Sequence, residues 1–276
     1  MRFLFFVFRR FPLSLLRLFF RLLMSLVYLV VPSRRRIAQR NISKALNLDS
    51  KSSKRLAFKT YMYFADMIAI NVKHLGDERF IRKRVTVEGY EHFQRAKAMK
   101  KGVIFTTAHY GNWELMVCAF AILKEPINVM VRPMDNAKLD RLINEIRSAC
   151  GNRIISSRES AFGFIRMLKR NGVLGVLVDQ AGGDGTFKVE FFSMPAKVSE
   201  SIALFSYKLG TPILPAYMEE DAGGFRVIIE SPIVAEHTGN FQQDIATTMK
   251  KVYSRFEKWI RKHPERYLWM HNRWKR

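Results

Sequence analysis

The chain has little cysteine and lacks the common signatures of nucleotide-binding proteins and serine hydrolases. Its two cysteines, Cys118 and Cys150, provide neither a disulfide framework nor a metal-ligand cluster, and we interpret both as packing residues. A G-x-S-x-G sequence is missing, which argues against a serine acyl-enzyme. Walker A and G-x-G-x-x-G sequences are also missing. We therefore expect no metal and no bound cofactor.

An uninterrupted hydrophobic run of membrane-spanning length is missing near the N-terminus. Residues 3–31 are mostly Phe, Leu and Val. The longest uncharged stretch there, Leu22–Ser33, is shorter than the ~20 residues that a spanning helix needs. A helical wheel gathers four basic residues on one narrow stripe: Arg9, Arg10, Arg17 and Arg21. This pattern predicts a helix that lies in the membrane interface with arginines on phosphates, or inserts with the arginines snorkelling. A buried core helix is the alternative.

Acidic residues are scarce, especially near the ends of the chain. Lys and Arg number 47 and Asp and Glu number 24, which gives a net charge of +23. No acidic residue precedes Asp49, and the segment Lys250–Arg276 contains only two. Such a charge favours polyanionic partners such as anionic lipid surfaces, acidic proteins or nucleic acids. We expect residues 1–36 to form a basic, hydrophobic membrane anchor and residues 37–276 to form the folded domain.

Strands and helices alternate through the body of the chain. Apolar spacing predicts a helix over residues 37–75 and a last long helix over Phe241–Arg261. Between them, short β-branched runs alternate with helical patterns. We predict an α/β fold: a single domain with a mostly parallel or mixed central sheet flanked by helices, preceded by the N-terminal hydrophobic helix.

The segment 102–114 carries the strongest chemical signal. An apolar run ends at Ala108, and His109 follows it at once. Asn112 is a suitable N-cap for the next helix, and Glu114 lies in that helix's first turn, close enough to approach the imidazole. Sites in open α/β sheets lie at the carboxyl ends of strands. His109 is therefore a candidate general base.

Two further polar residues follow predicted strands. Arg132 follows Val129–Val131, and Asp179 follows Val173–Val178. At one edge of the sheet, an Asp is suited to hold the imidazole tautomer, and an Arg to bind a phosphate or a developing oxyanion. Each is equally consistent with a solvated strand terminus.

These residues resemble the late acyltransferases of lipid A biosynthesis, a family within the lysophospholipid acyltransferase superfamily. The H-x4-D/E motif of that superfamily corresponds to His109-Tyr-Gly-Asn-Trp-Glu114. The other matching blocks are Val131-Arg132-Pro133, Val178-Asp179-Gln180, Phe191-Phe192 and the ending Pro264–Trp274. The resemblance covers nearly the whole chain.

The resemblance implies transfer of a fatty acyl chain from an acyl thioester to a hydroxyl of an anionic membrane lipid. The donor would be acyl carrier protein or acyl-CoA, and the enzyme would lie on the cytoplasmic face of the bacterial inner membrane. The histidine would deprotonate the acceptor hydroxyl, supported by Glu114 and oriented by Asp179. Arg132, Asn112 and Gln180 would bind substrate. Arg34-Arg35-Arg36 suits a cytoplasmic flank, and no nucleic-acid partner is expected.

The chain departs from the family pattern at two places. Ser193-Met194 follows Phe191-Phe192 where a glycine is expected, and Ser199-Glu-Ser201 replaces a Gly-Pro-type turn. These departures leave the acceptor open between a lipid A precursor or related saccharolipid and a lysophospholipid, glycolipid or aminolipid. A non-catalytic basic protein that binds membranes or nucleic acid is the alternative of a different class. It does not explain why His109 and Glu114 lie together.

Overall fold

The structure is a computed structural model that describes residues 7–133, 135–180, 187–221 and 223–274. Residues 1–6 of the predicted anchor lie outside the described residues. The strands are β1 (Val85–Glu88), β2 (Val103–Thr107), β3 (Asn128–Val131), β4 (Arg153–Ser156), β5 (Val173–Leu177), β6 (Lys188–Phe191), β7 (Met194–Lys197), β8 (Ile213–Asp221) and β9 (Gly224–Ile229). The helices are α1 (Leu13–Val30), α2 (Pro32–Leu46), α3 (Ser50–His74), α4 (Glu78–Arg84), α5 (Tyr90–Ala98), α6 (Trp113–Leu123), α7 (Ala137–Ser148), α8 (Ala161–Lys169), α9 (Ser201–Leu209) and α10 (Phe241–Lys262), followed by a 3-10 turn at Pro264–Arg266.

The described residues form a seven-stranded mixed sheet in the order β1-β9-β8-β2-β5-β3-β4. Strands β8, β2, β5, β3 and β4 run in one direction, whereas β9 and β1 run in the other. The carboxyl ends of β2, β5 and β3 therefore meet at one edge. The prediction of an α/β fold with a mixed central sheet is confirmed.

Compact packing divides the described residues into two units. One unit comprises residues 7–74, 180, 187–198 and 253–274. The other comprises residues 75–133, 135–179, 199–221 and 223–252, and it contains the seven-stranded sheet. The predicted boundary between residues 36 and 37 lies inside the first unit, and the division into anchor and catalytic domain stays a prediction.

The prediction of one helix over residues 37–75 is wrong, because the chain turns at Asn47. Asn47 adopts the left-handed conformation (φ 52°, ψ 47°) and ends α2. Asp49 then caps α3, since its Oδ1 accepts the Ser52 N–H at 2.7 Å. Helix α2 begins at Pro32, inside the predicted anchor.

The N-terminal helix α1 packs along α3 and leaves most of its apolar side chains exposed. Leu16 is its buried residue, whereas Leu22 and Leu29 are 64% and 65% exposed. The alternative that this segment forms a buried core helix is therefore wrong for α1. Among the described residues, α1 is the one helix long and apolar enough to cross a membrane. Arg21, expected to contact phosphates or to snorkel, instead forms an ion pair with Asp66 at 2.6 Å.

The C-terminal segment packs on the β6–β7 hairpin. Trp274 stacks on Phe191 with ring centroids 5.7 Å apart, and the fully buried Trp269 contacts Phe192 at 5.8 Å. Arg273 is buried and donates to the backbone carbonyl of Lys197 at 2.5 Å. The family-like ending Pro264–Trp274 is therefore part of this aromatic cluster.

In the unit that contains the sheet, three buried phenylalanines join α5, β2 and α6. The ring centroids of Phe93, Phe105 and Phe120 lie 4.9 to 5.4 Å from one another. Aromatic rings that contact at these distances bury large apolar areas and fix the relative positions of the elements that carry them. This cluster therefore sets α6 against the strand that precedes it.

The interpretation of the cysteines as packing residues without a disulfide is wrong. Cys118 on α6 and Cys150, just after α7, form a disulfide with Cα atoms 5.2 Å apart. Both residues are buried. They are separated by 32 residues in sequence. The chain between them forms β3 and α7, and the end of α7 places Cys150 beside Cys118 of α6.

Candidate active site

His109 lies just beyond a central, buried strand. All five residues of β2 are buried, and β2 pairs in parallel with β5 on one side and β8 on the other. The chain then turns tightly, with the Tyr110 N–H donating to the Ala108 carbonyl at 2.7 Å. Gly111 has φ 65°, and a Cβ there would lie 2.7 Å from the Met218 carbonyl oxygen. Only glycine fits this close approach, which delivers His109 at the edge of the sheet.

Asp179 is the acid that contacts His109. Thr107 and Leu177 are partners in the β2–β5 register, and His109 and Asp179 each lie two residues further along. The Asp179 Oδ1 lies 2.7 Å from the His109 Nδ1. The Asp179 side chain is 1% exposed and the His109 side chain 22% exposed. The structure thus combines a buried carboxylate with an imidazole that solvent can reach.

Trp113, the first residue of α6, packs against the imidazole. Its ring lies edge-on to that of His109, with centroids 5.0 Å apart. Since Asp179 contacts Nδ1 and Trp113 contacts the ring, the imidazole has partners that set its position and tilt.

The His109 Nδ1 is bonded to Asp179 and not to Glu114. Glu114 forms an ion pair with Arg147 of α7. Arg147 Nε donates to Glu114 Oε2 at 2.9 Å, and its Nη2 donates to Oε1 in a second, shorter contact. Burial disfavours the charged guanidinium, but the hydrogen bond and the charge of Glu114 outweigh this, so the pKa of Arg147 is raised. The side chains are 21% and 25% exposed.

Sequence reasoning missed Arg147. The residue lies 33 positions from Glu114, in the last turn of an amphipathic helix that carries several other charges. Nothing in its local pattern separates it from a solvated arginine. Only the packing of α7 beside α6 shows that it holds the motif acid.

The three predicted substrate-binding residues lie in different surroundings. Asn112 is buried, and its Oδ1 caps α6 by accepting the Leu115 N–H at 3.1 Å. Its Nδ2 is buried without a hydrogen-bond partner among the described residues. Arg132 is exposed directly after β3, and Gln180 is half-buried directly after Asp179. The expected N-cap role of Asn112 is confirmed, and the substrate-binding roles stay predictions.

A second tyrosine lies near the motif on the β8 side. The rings of Tyr110 and Tyr217 are 6.1 Å apart. Burial, followed by the negative charges of Glu219, Glu230 and Glu88, raises the pKa of Tyr217 to about 12. This phenol therefore stays protonated at physiological pH.

Comparisons with known proteins identify the family of this chain. The family model for bacterial lipid A biosynthesis acyltransferases matches residues 2–276. The lipid A biosynthesis palmitoleoyltransferase of Escherichia coli (strain K12) is 26% identical over 226 residues, which cover 76% of this chain and 71% of that protein. The lipid A biosynthesis lauroyltransferase of the same organism is 27% identical over 205 residues, covering 72% of this chain and 64% of that protein.

A solved structure was also found. The crystal structure of the 1-acyl-sn-glycerophosphate acyltransferase from Thermotoga maritima is 15% identical, with a TM-score of 0.42, and the match covers 89% of this chain and 96% of that chain. The family model, by contrast, matches nearly every residue of the chain, including the His109–Glu114 motif. The chain belongs to the bacterial lipid A biosynthesis acyltransferase family.

Proposed function

We propose that this protein transfers a fatty acyl chain from an acyl thioester to a hydroxyl of a lipid A precursor or a related saccharolipid. The observation that carries the proposal is the 2.7 Å contact between His109 and the buried Asp179 at the carboxyl edge of the sheet. A base held in this way by a buried acid is the arrangement that activates a hydroxyl in acyl transfer.

His109 acts as the general base. Its Nδ1–H donates to Asp179, so Nε2 is the basic nitrogen that takes the proton of the acceptor hydroxyl. The hydroxyl oxygen attacks the thioester carbonyl and forms a tetrahedral oxyanion. The C–S bond then breaks, and the proton on Nε2 passes to the leaving thiolate. The products are an ester on the lipid and a free carrier thiol.

Asn112 and Glu114 at the start of α6, together with Arg147 of α7, support this reaction. Arg147 fixes the Glu114 carboxylate, and the buried Asn112 Nδ2 is a donor without a partner among the described residues. A buried donor of this kind is suited to a developing oxyanion or a substrate carbonyl. Arg132 and Gln180 are proposed to bind the acceptor at the same sheet edge.

The donor is proposed to be acyl carrier protein, with acyl-CoA as the alternative, and the site to lie on the cytoplasmic face of the bacterial inner membrane. Acyl carrier proteins are acidic and lipid A precursors carry phosphates, so a net charge of +23 suits both. The exposed apolar side chains of α1 supply the membrane contact.

The test is mass spectrometry of total lipids from cells with and without this protein. We expect the deletion to leave one lipid short by one acyl chain, and the mass and headgroup of that lipid identify the acceptor. Wild-type protein and His237→Ala, in which an exposed histidine is replaced, should restore the chain. His109→Ala should remain in the membrane fraction without restoring it. An unchanged lipidome, or rescue by His109→Ala, would overturn the proposal.

A further inference from the structure

The exposed apolar side chains of α1 form one continuous stripe. At about 100° per residue they fall within roughly 140° of the helix circumference. The stripe comprises Leu15, Leu18, Phe19, Leu22, Leu23, Leu26, Leu29 and Val30, each of which is 41% to 65% exposed. A stripe of this width on a helix whose other side is packed is typical of contact with the surface of a bilayer rather than with lipid on all sides.

The other side of α1 contacts α3 along its whole length through hydrogen bonds and packed rings. Before the first turn of α1, Lys73 Nζ donates to the backbone carbonyls of Arg9 and Phe11 at 2.7 and 2.9 Å. In the middle, Arg21 donates two hydrogen bonds to the Asp66 carboxylate at 2.8 and 2.6 Å.

The last turn of α1 is held by Tyr28. Its ring packs edge-on against Phe58 and Tyr61, with centroids 5.4 and 5.1 Å away. Its hydroxyl donates to the Lys54 carbonyl at 3.4 Å. The contacts therefore run from one end of α1 to the other, and α1 and α3 are antiparallel partners.

Helix α3 is unsuited to the hydrocarbon core. It is held inside its unit by buried residues such as Ala57, Phe64 and Ile70. It also carries exposed basic side chains at Lys51, Lys54, Arg55 and Lys59. A helix bonded lengthwise to α3 cannot cross the bilayer unless all of these contacts break, which would also leave Asp66 without Arg21.

Basic residues flank both ends of the stripe. Arg10 precedes it and Arg34 and Arg36 follow it, and all three are exposed. In a spanning helix one of these ends would be translocated, which the positive-inside rule opposes. In a helix that lies flat, both ends sit at the level of anionic headgroups.

We infer that this protein is a monotopic membrane protein, held by the exposed stripe of α1 lying flat in the interfacial layer of an anionic bilayer. The inference rests on the membrane association proposed above and specifies its geometry. Both ends of α1 then lie on the same side of the membrane as the rest of the chain.

Depth measurements test the flat orientation. Single cysteines at Leu15, Leu22 and Leu29 are spin-labelled without reductant and bound to vesicles of phosphatidylethanolamine and phosphatidylglycerol. The wild-type protein is the unlabelled control, because its two cysteines are buried and joined in a disulfide. The outer two positions are about 21 Å apart along the helix. We expect equal depths from power saturation. A label at Leu22 about 10 Å deeper than the outer two, or three labels in water, would overturn the inference.

A sidedness measurement separates this inference from the proposed cytoplasmic location. Arg10→Cys and Glu91→Cys, both at exposed positions, are treated with a membrane-impermeant maleimide in cells with a permeabilised outer membrane. We expect the two positions to react alike, and neither before lysis. Reaction of Arg10→Cys alone would show a spanning helix and overturn the inference. Reaction of both before lysis would keep the monotopic geometry and reject only the cytoplasmic face.

A pair of matched variants tests the stripe itself. Leu22→Glu places a charge on the stripe, whereas Ser14→Glu places one on an exposed position beside it. We expect Leu22→Glu to lower the partition coefficient into anionic vesicles at least tenfold, and Ser14→Glu to lower it less than twofold. Equal effects of the two substitutions would contradict attachment through this face.

Discussion

At the scale of residues, two acids follow the motif histidine and the structure gives them different partners. Asp179 is almost fully buried and contacts the imidazole of His109. Glu114 is about a fifth exposed and forms an ion pair with the guanidinium of Arg147. A buried carboxylate on a ring nitrogen fixes which nitrogen carries the proton. The second pair fixes the carboxylate at the first turn of α6, where the helix dipole also favours a negative charge.

Replacing Asp179 therefore tests the base. In Asp179→Asn the amide keeps the shape but no longer stabilises the imidazolium that forms when His109 takes a proton. We expect kcat/KM to fall by about 10²–10⁴, with membrane binding unchanged. The measurement is acyl transfer by the purified enzyme to a lipid acceptor. Asp221→Asn, at an acid on the end of β8, is the matched control and should retain near wild-type activity. A wild-type rate for Asp179→Asn would remove Asp179 from the mechanism.

At the scale of elements, the turn of the β6–β7 hairpin holds Ser193 in a conformation that suits glycine, the residue that the family resemblance led us to expect here. The hairpin turns through Phe192 and Ser193, both with positive φ, 54° and 55°. Turns with two left-handed residues suit Asn and Gly, because other side chains crowd the backbone. Phe192 is held there by Trp269 and by the Arg261 guanidinium, which lies 4.9 Å from its ring centroid. Ser193, by contrast, is exposed.

Ser193→Gly should therefore stabilise the protein. It relieves about 1–2 kcal/mol of left-handed strain, offset by about 0.4–1 kcal/mol from the greater freedom of glycine in the unfolded chain. We expect the free energy of unfolding to rise by about 0.5–1 kcal/mol, measured by chemical denaturation in detergent. Phe192→Gly, at the adjacent left-handed position, should instead destabilise the protein because it removes a buried ring. A lower stability for Ser193→Gly would show that the serine makes a contact that outweighs its strain.

The disulfide and the ion pair join the same two elements. Glu114 and Cys118 lie one turn apart on α6, and Arg147 and Cys150 lie one turn apart at the end of α7. Closing a loop of this size is expected to stabilise the folded state by about 3–4 kcal/mol through the unfolded chain. Because the disulfide forms only under oxidising conditions, the free energy of unfolding of the purified protein should depend on its redox state. Cysteine pairs in a cytoplasm are usually kept reduced.

We expect the free energy of unfolding of the oxidised protein to exceed that of the protein treated with dithiothreitol by about 3–4 kcal/mol. The measurement is chemical denaturation of both samples. The double variant Cys118→Ser/Cys150→Ser is the control, and its stability should not respond to the reductant. Thiol titration under denaturing conditions counts the free cysteines, and we expect none in the oxidised sample. Two free thiols in the oxidised sample would contradict the pairing.

At the scale of the whole molecule, charge is the dominant property. With 47 basic and 24 acidic side chains, the protein carries a field that attracts an acidic carrier protein and an anionic bilayer. Interactions between exposed charges are screened by salt, because the Debye length falls from about 10 Å at 0.1 M to about 3 Å at 1 M. The proposed encounter with a charged donor should therefore depend on salt, whereas the proposed proton transfer at His109 should not.

Raising the salt concentration should therefore raise KM for an acyl carrier protein donor by about tenfold or more while changing kcat little. The control is a short uncharged acyl thioester in detergent with the same acceptor, for which KM should change little. Equal salt dependence for both donors would place the electrostatic effect at the acceptor instead of at the carrier.

The sequence by itself determined the class of fold, the position of the candidate base His109 and the sign of the net charge. Local patterns were sufficient for the fold class and the position of His109. Strand and helix periodicities alternate along the chain, and His109 follows a buried strand. Asn112 is recognisable as an N-cap because its partner, the Leu115 N–H, is only three residues away. Composition alone was sufficient for the charge.

The tertiary structure decided which groups face one another. His109 and Asp179 are 70 residues apart, Glu114 and Arg147 are 33 apart, and the two cysteines are 32 apart. Local periodicity places each residue on its own element but does not set the register of β2 against β5 or the packing of α6 beside α7. The same holds for α1. Its sequence is apolar enough to cross a membrane, and only its bonds to Asp66 and Lys73 on α3 show that one face of the helix is already occupied by protein.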